Sequence, residues 1–279
     1  MELWFSEKLN DRSRISIRIE QQVFHKKSKY QTIDIFETVG YGRLLVIDGF
    51  IMLTEEDEFV YHECLAHVPL QLLDQPERVL IIGGGDGGTA REVLKYPSIK
   101  QVVMVEIDGE VPEACRKYLP GLARSMDDPR LEMVFEDGAS FVQQDQQPFD
   151  LIIIDSTDPI GPGKVLFSEP FYKNCRSILK EKGVLTAQTE SPFDQMYRET
   201  LKGVYASLKR VYGKAYMYTA TIPTYPYGLW SFAFASGSAD PVNDPFRAFE
   251  VPEGLRYYNR ELARSMFTLP NFVREITGE

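Results

Sequence analysis

The chain is poor in the residues that staple small folds or hold metals. Its 279 residues include three cysteines, three histidines and two tryptophans. Cys64, Cys115 and Cys175 show no paired short spacing, which excludes a disulfide framework or a cysteine-built zinc site, and each is expected to be a small buried hydrophobe. His62 and His67 stand at i and i+5, wrong for two ligands on one helical face, so no metal site is expected. His25 lies in a basic turn and is expected to face solvent. No apolar run approaches the roughly 20 residues of a membrane span, so no membrane partner is expected. Met1-Glu2-Leu3-Trp4-Phe5 runs quickly into charges, which predicts no signal peptide. Positive charge is scarce as well: 31 Lys and Arg against 41 Asp and Glu leave a net charge of −10. That balance disfavours nucleic acid and suits small cations, although acidity alone is ordinary for a cytoplasmic protein.

What is present divides into two regions of different period. From about residue 3 to 54 apolar and polar residues alternate, as in Arg14-Ile15-Ser16-Ile17-Arg18-Ile19-Glu20, with turn signals at Val39-Gly40-Tyr41-Gly42 and Asp48-Gly49. Residues 1–54 are therefore expected to form a small antiparallel β domain, and 55–279 a Rossmann-like catalytic domain. Thr54-Glu55-Glu56-Asp57 resembles a capping box opening a helix that runs to about Leu72. Strands are then expected at 79–82, 102–107, 131–135, 149–154 and 184–189, alternating with helices, which predicts an α/β fold with a mostly parallel sheet. Ala215–Tyr218 and Leu229–Ala235 have no helix between them and are expected to pair antiparallel at the sheet edge.

The run Val79-Leu80-Ile81-Ile82-Gly83-Gly84-Gly85-Asp86-Gly87-Gly88 carries most information. A buried strand feeds a glycine loop and then a helix, the pattern of nucleoside-binding α/β proteins. About twenty residues on, the strand ending at Glu106 places an acid where ribose hydroxyls are expected. Asp86 argues against a pyrophosphate, because a carboxylate opposes the anion site of the helix N-terminus. The other strand ends add Asp137-Gly138, Asp155-Ser156-Thr157-Asp158-Pro159 and Gln188-Thr189-Glu190, almost without Lys or Arg. Each acid alone reads equally as a solvated group or a helix cap. Gathered on one rim, they repel by roughly 4 kcal/mol per pair at 4 Å and an effective dielectric of 20, unless a cation sits among them. The Pro/Gly-rich segment from Ser156 to Val165 reads either as a tight connection or as a lid, and Thr221–Gly228 as a second loop bringing Tyr225 and Tyr227 to a pocket wall.

These residues resemble the polyamine aminopropyltransferases, and within them the spermidine synthases. The resemblance is carried by Gly83–Gly88, Glu106-Ile107-Asp108, Asp137-Gly138, Asp155–Pro162, Thr54–Glu63 and Thr221–Pro226, and extends from near residue 4 to about 236. Met52 departs from it, standing where many relatives have Gln. The resemblance implies a methyltransferase-type Rossmann-like fold, a homodimer or homotetramer, and transfer of an aminopropyl group from decarboxylated S-adenosylmethionine to putrescine. Decarboxylated S-adenosylmethionine is then a co-substrate, and no cofactor or metal is implied. It further implies that Gln31, Glu106, Asp137, Gly138 and Pro162 hold the nucleoside and that Asp86 binds the aminopropyl ammonium. Asp155 would be the base, with Tyr61, His62, Asp158, Gln188 and Tyr225 around the diamine.

Elementary chemistry is consistent with that picture. A sulfonium is its own electrophile, whereas an alkylammonium of pKa near 10.4 is protonated at pH 7, and freeing its lone pair costs about 4.6 kcal/mol. A carboxylate beside the reacting nitrogen with a second acid for the distal ammonium meets both needs. Agmatine, cadaverine or spermidine are alternative acceptors. An S-adenosylmethionine methyltransferase shares the sheet pattern, and a polyamine sensor without turnover would keep only the diamine acids.

Overall fold

Period-two alternation at the start of the chain becomes a five-stranded antiparallel sheet in sequential order: β1 (Leu3–Lys8), β2 (Arg14–Lys27), β3 (Thr32–Thr38), β4 (Arg43–Ile47) and β5 (Phe50–Thr54). The structure, a computed structural model, describes residues 2–157, 161–246 and 251–278. Asp48 and Gly49 join β4 to β5 with φ of 51° and 88°, the positive angles that a two-residue hairpin needs. His25 lies on β2 rather than in a turn, its exposed ring 2.6 Å from Asp34. One face of this sheet, with Ile33, Ile35, Leu45 and Leu53, packs on Val111, Cys115, Leu119 and Leu122 of α3 (Glu110–Tyr118) and α4 (Pro120–Ala123) with the residue between them.

The β/α alternation becomes a seven-stranded sheet of order β11-β12-β10-β9-β6-β7-β8. Its members are β6 (Arg78–Gly83), β7 (Gln101–Val105), β8 (Leu131–Val134), β9 (Phe149–Asp155), β10 (Leu179–Glu190), β11 (Lys214–Thr221) and β12 (Leu229–Ser236). β10, β9, β6, β7 and β8 run parallel, while β12 pairs antiparallel with β10 and β11 with β12. Alternate residues feed two cores. Val79, Ile81, Leu151 and Ile153 join α1 (Glu58–Leu70) and α2 (Gly88–Val93). Leu80, Ile82, Ile152 and Ile154 join α5 (Gly138–Phe141), α6 (Glu169–Ser177) and α7 (Arg198–Tyr212). Cys64, Cys115 and Cys175 are buried free thiols. Among the described residues no helix is long and apolar enough to cross a membrane.

Two tethers escape a reading by period. The expected capping box is absent: helix α1 begins at Glu58 without a side-chain cap, and ends at Leu70. The Asp57 carboxylate instead accepts the Thr54 hydroxyl at 2.7 Å and the Thr224 N–H at 2.9 Å, fastening the Thr221–Gly228 loop to the start of the helix. Glu63, buried within α1, accepts the backbone N–H groups of Arg256, Tyr257 and Tyr258 at 2.7–2.8 Å, ahead of α8 (Arg260–Ser265) and α9 (Asn271–Thr277). Hydrogen bonds to an ionised acceptor are worth about 1.5–3 kcal/mol, and three amides stranded together cost more than one. Glu63→Ala is expected to lose roughly 3 kcal/mol in urea unfolding; a loss below about 1 kcal/mol would show that water takes over the three amides.

Candidate active site

The order of the large sheet reverses at β6, with β7 and β8 on one side and β9 and β10 on the other. Loops leaving adjacent strand ends diverge at such a point and open a crevice beyond the carboxyl ends. A cavity of about 270 Å³ lies there, walled on one side by Leu45, Ile47 and Met52 of the first sheet. Gly83 makes the junction tight: its φ is +84°, and a Cβ on it would fall 2.1 Å from the Asp155 carbonyl oxygen. Only glycine lets the two strand ends approach this far.

Asp155, the last residue of β9, is 9% exposed. The Tyr61 hydroxyl donates to one of its oxygens and the Thr89 hydroxyl to the other, both at 2.6 Å. Burial first and the charge of Asp86 second push its pKa up, and His62 with the two hydroxyls only partly offsets them. A buried carboxyl tuned upward suits proton uptake near neutrality. Asp86 accepts the N–H of Gly88, the first residue of α2, at 2.7 Å and faces His62 Nε2 at 3.3 Å, so it holds the start of that helix while lining the cavity. Burial raises its pKa but His62 more than offsets this, leaving it low. Glu106, just past β7, accepts the Asp108 N–H at 2.9 Å, yet burial, followed by the charges of Asp108, Asp155 and Asp86, raises its pKa to about 7.

Gln31, Tyr61, His62, Asp137, Gly138, Gln188 and Tyr225 also reach the cavity wall. Asp137 spends one oxygen capping α5 through the Ser140 N–H at 2.9 Å. Gln188 donates to the Ser156 carbonyl at 2.9 Å while its buried Oε1 has no hydrogen-bond partner among the described residues. Tyr225 is 4.8 Å from Trp230 in an edge-on contact, and its hydroxyl donates to the Met52 carbonyl. Asp158 and the middle of the expected lid, residues 158–160, lie outside the described residues, as does the side chain of Pro162 in the turn Gly161–Phe167.

The rim expectation needs one correction. Glu190 is buried and does not line the cavity, because the register of β10 against β12 shifts between Gln188 and Glu190 and breaks the alternation. Contributors that escape the sequence include Thr89 on Asp155 and Asp48, Phe50 and Trp230 on the cavity wall, where Met52, the position that departs from many relatives, also stands. His62, Asp86 and Asp155 bring three ligand-type atoms within 4.8 Å of one another. Both ring nitrogens of His62 face carboxylates, however, and a ring that donates twice has no lone pair for a metal. Among the described lining residues Asp48, Asp86, Glu106, Asp137 and Asp155 are acidic and none is Lys or Arg. Such a cavity selects a ligand carrying positive charge.

Comparison with known proteins bears on this geometry. Residues 58–244 match the family described as "Spermine/spermidine synthase domain", and residues 3–55 that described as "Spermidine synthase tetramerisation domain". The chain is 44% identical over 277 residues to a polyamine aminopropyltransferase of Clostridium perfringens, covering 99% of this chain and 98% of that one. It is 43% identical over 280 residues to one from Thermoanaerobacter pseudethanolicus, covering all of both. A spermidine synthase in complex with the transition-state analogue AdoDATO superposes with a TM-score of 0.95 at 44% identity, covering 99% of this chain and 95% of that one. The spermidine synthase of Thermotoga maritima gives 0.91 at 42% identity, covering 99% and 94%.

The crowding of acids has a measurable signature. A carboxyl whose pKa is raised on folding contributes stability that is complete below its unfolded value, near 4.5, and is lost as pH rises through about 7. Glu106→Gln keeps the shape and cannot ionise. Its melting temperature is expected to match wild type at pH 5 and to exceed it by roughly 5 °C at pH 8. Scanning calorimetry at the two pH values checks this; a difference that does not change with pH contradicts the raised pKa that burial and the neighbouring acids give Glu106.

Proposed function

We propose, from the premise that this chain belongs to the spermine/spermidine synthase family and is an aminopropyltransferase, that it converts putrescine to spermidine with decarboxylated S-adenosylmethionine as co-substrate. The observation that carries this reading is the cavity with five acidic residues and no Lys or Arg among those described, at the switch point of a nucleoside-type sheet. A decarboxylated sulfonium nucleoside and a diamine are both cations, and together they neutralise what the cavity crowds. The analogue AdoDATO bound to a spermidine synthase 44% identical to this chain supports the same pair.

In this reading the ribose hydroxyls donate to Glu106, while Gln31, Asp137, Gly138 and Pro162 surround the rest of the nucleoside. Asp86 anchors the aminopropyl ammonium and disfavours the intact cofactor, whose extra carboxylate it would repel. Tyr61, His62, Asp158, Gln188 and Tyr225 line the acceptor side. Asp155 takes the proton from the attacking ammonium; nitrogen bonds to the aminopropyl carbon, the carbon–sulfur bond breaks, and its electron pair stays on sulfur as neutral methylthioadenosine. The raised Asp155 pKa makes it a stronger base toward an ammonium that is otherwise protonated at pH 7. Trp230 and Tyr225, buried and in contact, close the acceptor end with aromatic surface, which favours a short diamine over a longer polyamine. We also place the boundary between the two structural units at residue 54 and assign the first unit to homodimer or homotetramer assembly, supported by its family match and by Leu3 and Trp4, 47% and 53% exposed on β1.

Incubation with decarboxylated S-adenosylmethionine and putrescine, cadaverine, agmatine or spermidine, followed by methylthioadenosine release, tests the assignment. Putrescine is expected to give at least tenfold higher kcat/KM than the other three; a different preferred amine overturns the acceptor, and no release with any overturns the reaction. Asp155→Asn is expected to lower kcat by a hundredfold or more with methylthioadenosine affinity within threefold of wild type. Turnover within a few-fold of wild type would remove Asp155 from the role of base.

A further inference from the structure

Behind the cavity, buried charges of alternating sign run between α1 and α2. Arg91 forks onto Glu58 through parallel bonds of 2.9 and 2.8 Å. Glu58 meets His62 Nδ1 at 2.6 Å, one helical turn along the same face, and His62 Nε2 faces Asp86 at 3.3 Å. His62 and Asp86 line the cavity; Glu58 and Arg91 do not. The ring is also fixed sterically, since a Cβ on Gly88 would fall 2.3 Å from its Cε1. The glycine at position 88 makes room for this imidazole rather than for a ligand.

His67, farther along α1, provides a contrast within the same molecule. Its Nε2 meets Glu92 and its Nδ1 the Tyr96 hydroxyl, each at 2.9 Å. A hydroxyl is able to donate, so that ring is satisfied while neutral, and burial lowers its pKa in spite of Glu92. His62 has no such option, because ionised carboxylates on both sides accept only. The groups that face it are Glu58 and Tyr61 from α1, Asp86 from the glycine loop and Asp155 from β9, with Arg91 of α2 beyond Glu58. Burial works against a charged ring, but Asp86 and then Glu58 outweigh it and raise its pKa to about 10.

We propose that Glu58 and Arg91 are positioning residues that hold His62 as an imidazolium at neutral pH, and that this fixed buried cation keeps Asp86 ionised where burial, together with the nearby acids Asp155 and Glu106, would otherwise drive it to take up a proton. Asp86 then meets an incoming cationic chain as an anion at neutral pH, without waiting for the ligand to deprotonate it. The consequence for catalysis rests on the proposed function; the charge of His62 does not.

Long-range proton–nitrogen spectra of the ring nitrogens separate the two. The chain has three histidines; His25→Gln removes one signal and backbone-to-ring correlations distinguish the others. At pH 8.5 both nitrogens of His62 are expected at protonated positions and those of His67 at neutral ones. A neutral His62 in the wild-type protein overturns the proposal whatever the protein catalyses. In Glu58→Gln, the His62 signals are expected to move to neutral positions at pH 8.5. The KM for decarboxylated S-adenosylmethionine should rise at least tenfold at pH 7 with kcat changed less than threefold, and return to within threefold of wild type at pH 9, where Asp86 ionises unaided. A loss equal at both pH values, or an unchanged KM, contradicts the positioning role. Arg91→Gln is expected to follow the same pattern more weakly.

Discussion

The carbonyl oxygen of Asp155 lies where a side chain on Gly83 would begin, and that contact sets the dimensions of the site. Because β6 and β9 pair in parallel up to this residue pair, the glycine loop and the acid that ends β9 leave the sheet side by side. The loop then returns through α2, which delivers Thr89 to the same carboxylate, while α1 delivers Tyr61 from the other side. Three separate segments thus converge on one carboxyl group because two strands end together. A methyl group at position 83 would separate them, and nothing else in the sheet would need to change for the site to be lost.

Convergence creates an electrostatic problem that the protein solves unevenly. Asp155 is given two hydroxyl donors, and Asp86 a cationic ring and a backbone amide. Glu106 receives a single backbone amide, too little against its burial and the charges of Asp108, Asp155 and Asp86, and its pKa climbs to about 7. The remaining imbalance weakens the fold at neutral pH, and positive charge placed among these acids would relieve it. Affinity and instability are therefore two aspects of one charge distribution, a trade common at sites that sacrifice stability to function.

Much of this was legible in the residues. Parallel strands end on one edge, so the period of the β/α repeats alone gathers Asp86, Glu106 and Asp155 on one rim. The hairpin at Asp48-Gly49 was equally plain, since few other residues adopt its backbone angles. What stayed hidden depends on tertiary context. Asp57 reads as the closing acid of a capping box opened by Thr54, yet its partner Thr224 is 167 positions away, and spacing carries no trace of such a pairing. Glu190 continued the pattern of rim acids until a register shift in β10 turned it aside. Thr89 and Trp230 sit in unremarkable local sequence; packing brings the first to Asp155 and the second to the cavity wall. The last forty residues, with Glu63 holding their backbone, offered no period to follow.

Helix α1 has almost no outward side: of residues 58–70 only Phe59 is not buried. Most helices possess a stripe where substitutions drift at little cost, within about ±0.5 kcal/mol. Here each position answers to the sheet, the C-terminal segment or the charge network, and several answer to two of them. The helix is thus closer to an axle than to a cladding panel, and its thirteen residues leave evolution few places for single-step change. New specificity in this scaffold has more room to arise from the loops and the first sheet, where Met52 already stands on the cavity wall with its side chain half free.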